Sequence, residues 1–130
     1  MDHTKSDSLR TLVLGASTHP ARYSYKAAIR LMEAGHEVLL VGGREAELKG
    51  QPIHRGTGRL DFEDVDTVTM YLSVAHQALY TEALLELKPR RVIFNPGSEN
   101  PELMRLLTEE GVEVEAACTL VLLSMNSYAA

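Results

Sequence analysis

Residues 9–24, with the sequence LRTLVLGASTHPARYS, join a strand-like segment to the first turn of a helix. Leu9–Leu14 is a largely aliphatic run without strict alternation, which is typical of a strand buried on both faces of a sheet. Gly15 ends this run, Pro20 favours a turn, and the helical pattern begins at Ser24. The stretch therefore predicts the strand–turn–helix that opens a βαβ unit.

The rest of the chain repeats this alternation of short apolar runs and longer helical patterns. Further strands are predicted at Glu37–Val41, Val65–Leu72, Arg91–Phe94 and Val112–Ala117. Helices are predicted over Ser24–Ala34, Ala75–Leu87, from the Asn100 N-cap to Gly111, and over Thr119–Ser124. Residues 44–63 are polar and Gly-rich around a short apolar island at Ile53, so the third strand is assigned to Val65–Leu72.

This order of elements indicates βαβ units with right-handed crossovers. We expect an α/β fold, a single Rossmann-like three-layer domain whose five-stranded parallel sheet has the strand order 3-2-1-4-5. The domain is expected to span residues 9–128, after a flexible N-terminus of residues 1–8. The sequence contains no linker or internal repeat that would divide it.

Composition excludes several classes of protein. A formal net charge of −5 over 130 residues argues against a broad basic face for nucleic acid. One Cys excludes a disulfide framework and a Cys-based zinc site, and the five His lack metal-binding spacing. No apolar run approaches the ~20 residues of a membrane span, and Met1–Ser8 lacks the apolar stretch of a secretion signal. We therefore expect a cytoplasmic protein without a metal site.

Ligands of such sheets bind beyond the carboxyl ends of the strands, where the strand order reverses. In the predicted order that point lies between the first and fourth strands. The loops expected to meet at this edge are Gly15–Ser24, Gly42–Arg44, Ser73, Asn95–Glu99 and Cys118.

The first of these loops carries groups that suit a phosphate or diphosphate. Gly15 allows a close backbone approach, and Ser17 and Thr18 supply hydroxyl groups. The helix that begins near Ser24 offers free N–H groups, and Arg22 adds a planar positive charge. The alternative is a plain turn in which Ser24 caps the helix.

The end of the second strand argues against an ordinary nicotinamide site. The loop after the first strand has a single Gly where the dinucleotide fingerprint G-x-G-x-x-G has three. The second strand ends in Gly42-Gly43-Arg44, without the acid that would hold the ribose hydroxyls. Arg44 suits a phosphorylated ribose or another phosphate, and the alternative is a plain surface charge.

The motifs Gly15-Ala16-Ser17, Pro20 and Ser24-Tyr25 resemble those of the small stand-alone CoA-binding proteins. These proteins are similar to the N-terminal Rossmann-like domain of the succinyl-CoA synthetase α chain. The resemblance covers roughly Arg10 to Ser124. This chain departs from the family in ending its second strand with Gly42-Gly43 instead of Asn-Pro. The second domain of the ligase is absent, so ligase activity is not implied.

The resemblance implies a role for each loop in binding CoA or an acyl-CoA. It places the diphosphate at residues 17–20, a CoA phosphate at Arg44, the adenosine beside residues 73–74 and the CoA chain beside residues 95–97. The predicted ligand-binding set is Gly15, Ala16, Ser17, Thr18, His19, Pro20, Arg22, Tyr23, Ser24, Gly43, Arg44, Ser73, Val74, Asn95, Pro96, Gly97 and Cys118.

No catalytic group is evident in the sequence. Ser17 lacks the G-x-S-x-G pattern of a nucleophile, and no Ser-His-Asp arrangement can be argued. Cys118 is interpreted either as a small buried hydrophobic residue or as a thiol that forms a mixed disulfide with CoA. We therefore predict a CoA-binding protein, compatible with a homodimer, rather than an enzyme. The alternatives are an NADP-binding oxidoreductase or nucleotide sensor, and a regulatory or scaffolding protein with a vestigial pocket.

Overall fold

A computed structural model describes residues 8–130, so all of the predicted flexible N-terminus except Ser8 lies outside the described residues. The strands of this part are β1 Thr11–Ala16, β2 Val38–Gly42, β3 Ala46–Leu48, β4 Gln51–Arg55, β5 Thr67–Met70, β6 Arg91–Phe94 and β7 Glu113–Ala116. The helices are α1 Tyr23–Glu33, α2 Val74–Gln77, α3 Thr81–Leu87, α4 Pro101–Glu109 and α5 Thr119–Ser124, and a 3₁₀ turn at Ala78–Tyr80 joins α2 to α3. None of these helices combines the length and apolar content that crossing a bilayer requires.

The seven strands form one sheet in the order β3-β4-β2-β1-β5-β6-β7. All neighbouring strands are parallel except the antiparallel pair of β3 and β4. The predicted α/β class is confirmed, whereas the predicted five-stranded, wholly parallel sheet of order 3-2-1-4-5 is wrong. The strand predicted at Val65–Leu72 forms as Thr67–Met70 and pairs with β1, not with β2.

The strand β4, which the sequence did not predict, explains the error in strand order. Ile53 is its only buried residue and its other four residues are exposed, so it lacks the apolar run that identifies a buried strand. Its backbone pairs in parallel with β2, where Ile53 lies opposite Leu40, and antiparallel with β3. It therefore takes the position beside β2 that the sequence assigned to Val65–Leu72.

Helices cover both faces of the sheet. Leu12 of β1 belongs to the apolar cluster on the side of α3 and α4, and its neighbour Val13 belongs to the cluster on the side of α1 and α5. Successive residues of a strand point to opposite faces, which is why these central strands are apolar throughout. Tyr128 packs in the second cluster, and its hydroxyl lies 2.6 Å from the Thr11 hydroxyl.

The observed strand order moves the point at which a ligand is expected. The order reverses between β1 and β5, and not between β1 and the strand at Arg91–Phe94. Gly15 of β1 lies directly against the segment that leaves β5, because a Cβ there would be 3.1 Å from the carbonyl carbon of Tyr71. Its φ of +106° also favours Gly. The loops that begin at Ser17 and Ser73 are therefore neighbours.

Replacing Ile53 tests whether β4 is a structural strand of the sheet. Ile53 is 3% exposed, so Ile53→Ala removes buried apolar atoms and is expected to lower the free energy of unfolding by about 2–4 kcal/mol. The exposed Gln51→Ala in the same strand is the control, with an expected change of about 0.5 kcal/mol or less. Urea denaturation measures both, and equal effects of the two substitutions would contradict the assignment.

Candidate functional site

A cleft of about 660 Å³ opens at the carboxyl ends of β1 and β2. It gathers most of the residues predicted to bind phosphate, namely Ala16, Ser17, Thr18, His19, Pro20, Arg22, Gly43 and Arg44. Ala46 of β3 and Ile53 of β4 complete the lining, and the sequence assigned neither of them to the site. The cleft thus joins the loop after β1 to the turn after β2.

The loop that leaves β1 is held by its own hydrogen bonds. The Ser17 hydroxyl oxygen accepts from the His19 amide at 3.0 Å, and the His19 carbonyl accepts from the Arg22 amide at 3.0 Å. His19 Nδ1 accepts from the Ala21 amide at 3.2 Å, which turns the imidazole back along the loop. These bonds give the loop a defined shape at the edge of the cleft.

Helix α1 begins at this loop with its first amides uncapped. Arg22 occupies the N-cap position, and no side chain accepts a hydrogen bond from the first-turn N–H groups. Ser24 is buried and does not act as the cap, while Tyr23 is exposed beside it. Free N–H groups and the positive end of the helix dipole favour an anion here.

Two positive charges flank the cleft without a negative partner. Arg22 and Arg44 are exposed, and neither guanidinium forms an ion pair with any other residue in the described part of the chain. Exposed unpaired arginines contribute little to stability, so their position around one cleft is better explained by an anionic ligand.

A larger cavity of about 710 Å³ lies between residues 58–64 and α3, away from this cleft. Its lining carries the carboxylates of Asp61, Glu63, Asp64, Glu82 and Glu86, and its one guanidinium, that of Arg59, is paired with Asp61. Such a surface repels phosphate groups. The smaller cleft is therefore the better candidate for an anionic ligand.

A narrow cavity of about 160 Å³ adjoins the cleft at Gly43, which lines both of them. Its lining consists of Leu14, Gly15, Val41, Gly42, Gly43, Gly56, Leu72, His76, Leu79 and Tyr80. A Cβ at Gly42 would lie 2.4 Å from the Ala16 carbonyl oxygen, and one at Gly56 would lie 1.9 Å from Tyr80 Oη. The backbone therefore forms part of the wall, and the apolar side chains suit a flat aromatic ring.

Ser73 and Val74, predicted to border an adenosine, stand at the start of α2 beside this narrow cavity. Ser73 Oγ lies 2.9 Å from Nδ1 of His76, whose imidazole lines the cavity. The sequence did not identify Gly56 or Tyr80, because Gly56 follows the unpredicted strand β4. The available signal was a Gly soon after the apolar island at Ile53.

Asn95 lies at the end of β6 with its side chain fully engaged inside the protein. It is 1% exposed, and its Nδ2 donates to Thr69 Oγ1 at 2.8 Å and to the Met70 carbonyl at 3.0 Å. Its Oδ1 accepts from the Thr119 amide at 2.8 Å. The side chain thus joins β5, β6 and the start of α5.

Three further predicted residues line neither the cleft at the ends of β1 and β2 nor the narrow cavity that adjoins it at Gly43. Pro96 and Gly97 are exposed in the turn after β6, and Cys118 is half-buried just before α5. They share the carboxyl edge of the sheet with the cleft but do not line it. Their predicted contacts with a ligand remain predictions.

Two further observations concern the chemistry of the groups near the site. Residues 8–130 contain no group of three or more His, Cys, Asp or Glu side chains that could hold a metal ion. Burial raises the pKa of Tyr71, which lies beneath Gly15, to about 12. A phenol with this pKa is neutral at physiological pH.

The model of the CoA binding domain family matches residues 10–124. Because this match covers most of the 130 residues, the chain belongs to the CoA binding domain family. The resemblance to small stand-alone CoA-binding proteins is thereby confirmed. Nothing among the curated proteins matches the chain.

Similar solved structures support the same fold. A crystal structure of an uncharacterized protein is 45% identical with a TM-score of 0.88, and the match covers 92% of this chain and 98% of that one. The Thermus thermophilus protein cell-free ID.343 is 26% identical with a TM-score of 0.80, covering 95% and 93%. The dinucleotide-forming acetyl-coenzyme A synthetase 1 of Ca. Korarchaeum cryptofilum is 16% identical with a TM-score of 0.69, covering 89% and 27%. At this last identity the likeness is one of fold alone.

Substituting Asn95 tests its internal role. Asn95→Ala leaves the buried Thr119 amide without its acceptor and removes the Nδ2 donor from the Thr69 hydroxyl, so the free energy of unfolding is expected to fall by about 2–4 kcal/mol. Pro96→Ala, in the same turn but exposed, is the control and should change stability little. Thermal denaturation measures both, and a native-like melting temperature for Asn95→Ala would show that the network is dispensable.

Proposed function

We propose that this protein binds CoA or an acyl-CoA through its ADP portion and acts as a binding protein of the cytoplasm. The observation that carries the proposal is a single cleft that joins the uncapped start of α1 to two unpaired arginines, Arg22 and Arg44. Membership of the CoA binding domain family supports the choice of ligand.

The diphosphate is placed over the loop of residues 17–22. Uncapped amides at the start of α1 donate to phosphate oxygens, and the guanidinium of Arg22 adds a charged, planar donor. The Ser17 and Thr18 hydroxyls line the same cleft. In this arrangement the amides and hydroxyl groups donate hydrogen bonds to the two adjacent phosphates, and the guanidinium of Arg22 balances part of their negative charge.

The adenine ring is placed in the narrow cavity beside Gly43, and the ribose at the end of β2. The cavity offers Leu72 and Leu79 as apolar walls for the ring. Arg44 is the second residue after β2, where a ribose phosphate would lie, and the acid of this turn, Glu45, comes only after it. CoA carries a phosphate on its ribose, so this position suits it.

The pantetheine chain is placed along the carboxyl edge toward Pro96, Gly97 and Cys118. From the diphosphate at the end of β1, the next strands on this side are β5, β6 and β7. The turn after β6 exposes Pro96 and Gly97, and its one carboxylate, that of Glu99, accepts from the Gly97 amide at 2.9 Å. A neutral chain suits this turn better than a second anionic group. This route leads the CoA thiol toward Cys118.

We infer binding without catalysis from the groups around the cleft. The Ser73–His76 contact closes the first turn of α2, where the His76 amide also donates to the Ser73 carbonyl at 3.0 Å. No carboxylate among residues 8–130 bonds to this imidazole, so the pair lacks the third group that orients a catalytic His.

Reversing the charge at Arg44 or Arg22 tests the assigned phosphate contacts. Arg44→Glu and Arg22→Glu are each expected to weaken CoA binding by about 10- to 100-fold, because a charge-assisted hydrogen bond is lost and a repulsion is gained. Arg30→Glu, on the exposed side of α1 and outside the cleft, is the matched control. Isothermal titration calorimetry gives the three affinities, and an equal loss for all three would contradict the proposal.

A ligand panel separates CoA from the alternative nucleotides. CoA is expected to raise the melting temperature more than dephospho-CoA, NADP or ATP, because only the first places a phosphate against Arg44 and a pantetheine along the sheet edge. In Arg44→Glu the difference between CoA and dephospho-CoA should disappear. A larger shift with NADP would favour a nucleotide sensor or oxidoreductase, and no shift with any ligand would favour a scaffolding role.

A further inference from the structure

A buried glutamine joins the loop after β5 to the turn after β6. In the proposed function, the first of these lies beside the nucleotide end of CoA and the second lies beside the pantetheine end. Gln77, the last residue of α2, is fully buried. Its Nε2 donates to the Leu72 carbonyl at 2.8 Å and to the Ser98 carbonyl at 2.7 Å. Leu72 belongs to the loop after β5, and Ser98 belongs to the loop after β6.

The other end of the Gln77 amide is also engaged. Its Oε1 accepts from Asn100 Nδ2 at 2.9 Å. Asn100 in turn caps α4, because its Oδ1 accepts from the Leu103 amide at 3.2 Å. The two amide hydrogens and the carbonyl oxygen of Gln77 are therefore all used, with one bond to the loop after β5 and two to the turn after β6.

The bonds continue from Ser98 to the start of α5. The Ser98 hydroxyl donates to the Asn95 carbonyl at 2.7 Å, and the Asn95 side chain accepts from the Thr119 amide. Ser98, Asn95 and Thr119 are all buried. A continuous relay of buried polar groups thus runs from the loop after β5 to the residue that follows Cys118.

We propose that Gln77 is a positioning residue that sets the loop after β5 and the turn after β6 in one fixed relation, so that both ends of CoA are bound by a preassembled site. The inference rests on the proposed function. Only an amide of this length supplies two donors and one acceptor at these three positions; a carboxylate would place its oxygens against two carbonyls. Preassembly lowers the ordering cost of binding a long flexible ligand.

The test compares CoA with adenosine 3′,5′-bisphosphate, which keeps the phosphorylated nucleoside but lacks the second phosphate of the diphosphate and the pantetheine chain. Because the same two ligands are used for every variant, the missing phosphate affects each Kd ratio alike. Gln77→Met keeps the approximate length of the side chain and removes its three hydrogen bonds. In this variant the ratio of the bisphosphate Kd to the CoA Kd is expected to fall by about fivefold or more, because the pantetheine loop is no longer preassembled. A purely structural role would not change this ratio.

Leu107→Ala is the matched control for stability. Leu107 is buried in α4 and takes no part in the relay, so its substitution lowers stability while the Kd ratio stays at the wild-type value. An unchanged ratio in Gln77→Met, in a protein whose unaltered form binds CoA, overturns this inference alone. Failure of the unaltered chain to bind CoA overturns the proposed function, and this inference with it.

A second measurement needs no variant. When the bisphosphate binds the unaltered chain, amide hydrogen exchange is expected to slow in residues 95–100 as well as in the loop after β5, because Gln77 ties them together. Protection limited to residues 15–24 and 72–80 would overturn the inference even if Gln77→Met failed to fold.

Discussion

Close backbone approach at the carboxyl ends of β1, β2 and β4 is the constraint on which the cleft depends. Gly42 lies so near the Ala16 carbonyl oxygen that a Cβ there has no room, and the Gly56 amide donates to the Gly42 carbonyl at 2.8 Å. Gly15 turns the chain with a positive φ directly against Tyr71. These contacts bring three strand ends together, and the cleft and the narrow cavity are the space that remains above them.

The sequence predicted the elements of the fold better than their arrangement. The strand at Arg91–Phe94 and the Asn100 cap were predicted correctly, because local apolar runs and capping residues carry those signals. Strand order depends on which backbones pair, and β4 pairs on both sides while burying only Ile53. Tertiary pairing, rather than local pattern, makes this segment a strand.

The site, like the fold, has one part that local sequence predicted and one part that it did not. The loop of residues 16–22 and Arg44 were predicted together because phosphate chemistry needs free amides and cations, and the cleft gathers them. The sequence did not assign Tyr80 to the lining of the narrow cavity, because Tyr80 lies against Gly56, which follows the unpredicted strand β4. The side chain of Asn95 could not be distinguished from a ligand contact by sequence, since a polar residue at a strand end serves either a ligand or the protein's own amides.

Charge and pairing differ between the two sides of the carboxyl edge. Around β1 and β2, the cations of Arg22 and Arg44 are exposed and unpaired, which contributes little to folding and suits a charged partner. Around β6 and β7, Asn95 and Thr119 are buried and bonded to each other, as burial of polar groups demands. A ligand that matches this edge carries its charge at one end and a neutral chain at the other. CoA, with its phosphates grouped on the nucleotide and an uncharged pantetheine, has that distribution, whereas NADP has a second nucleotide where the neutral chain would lie.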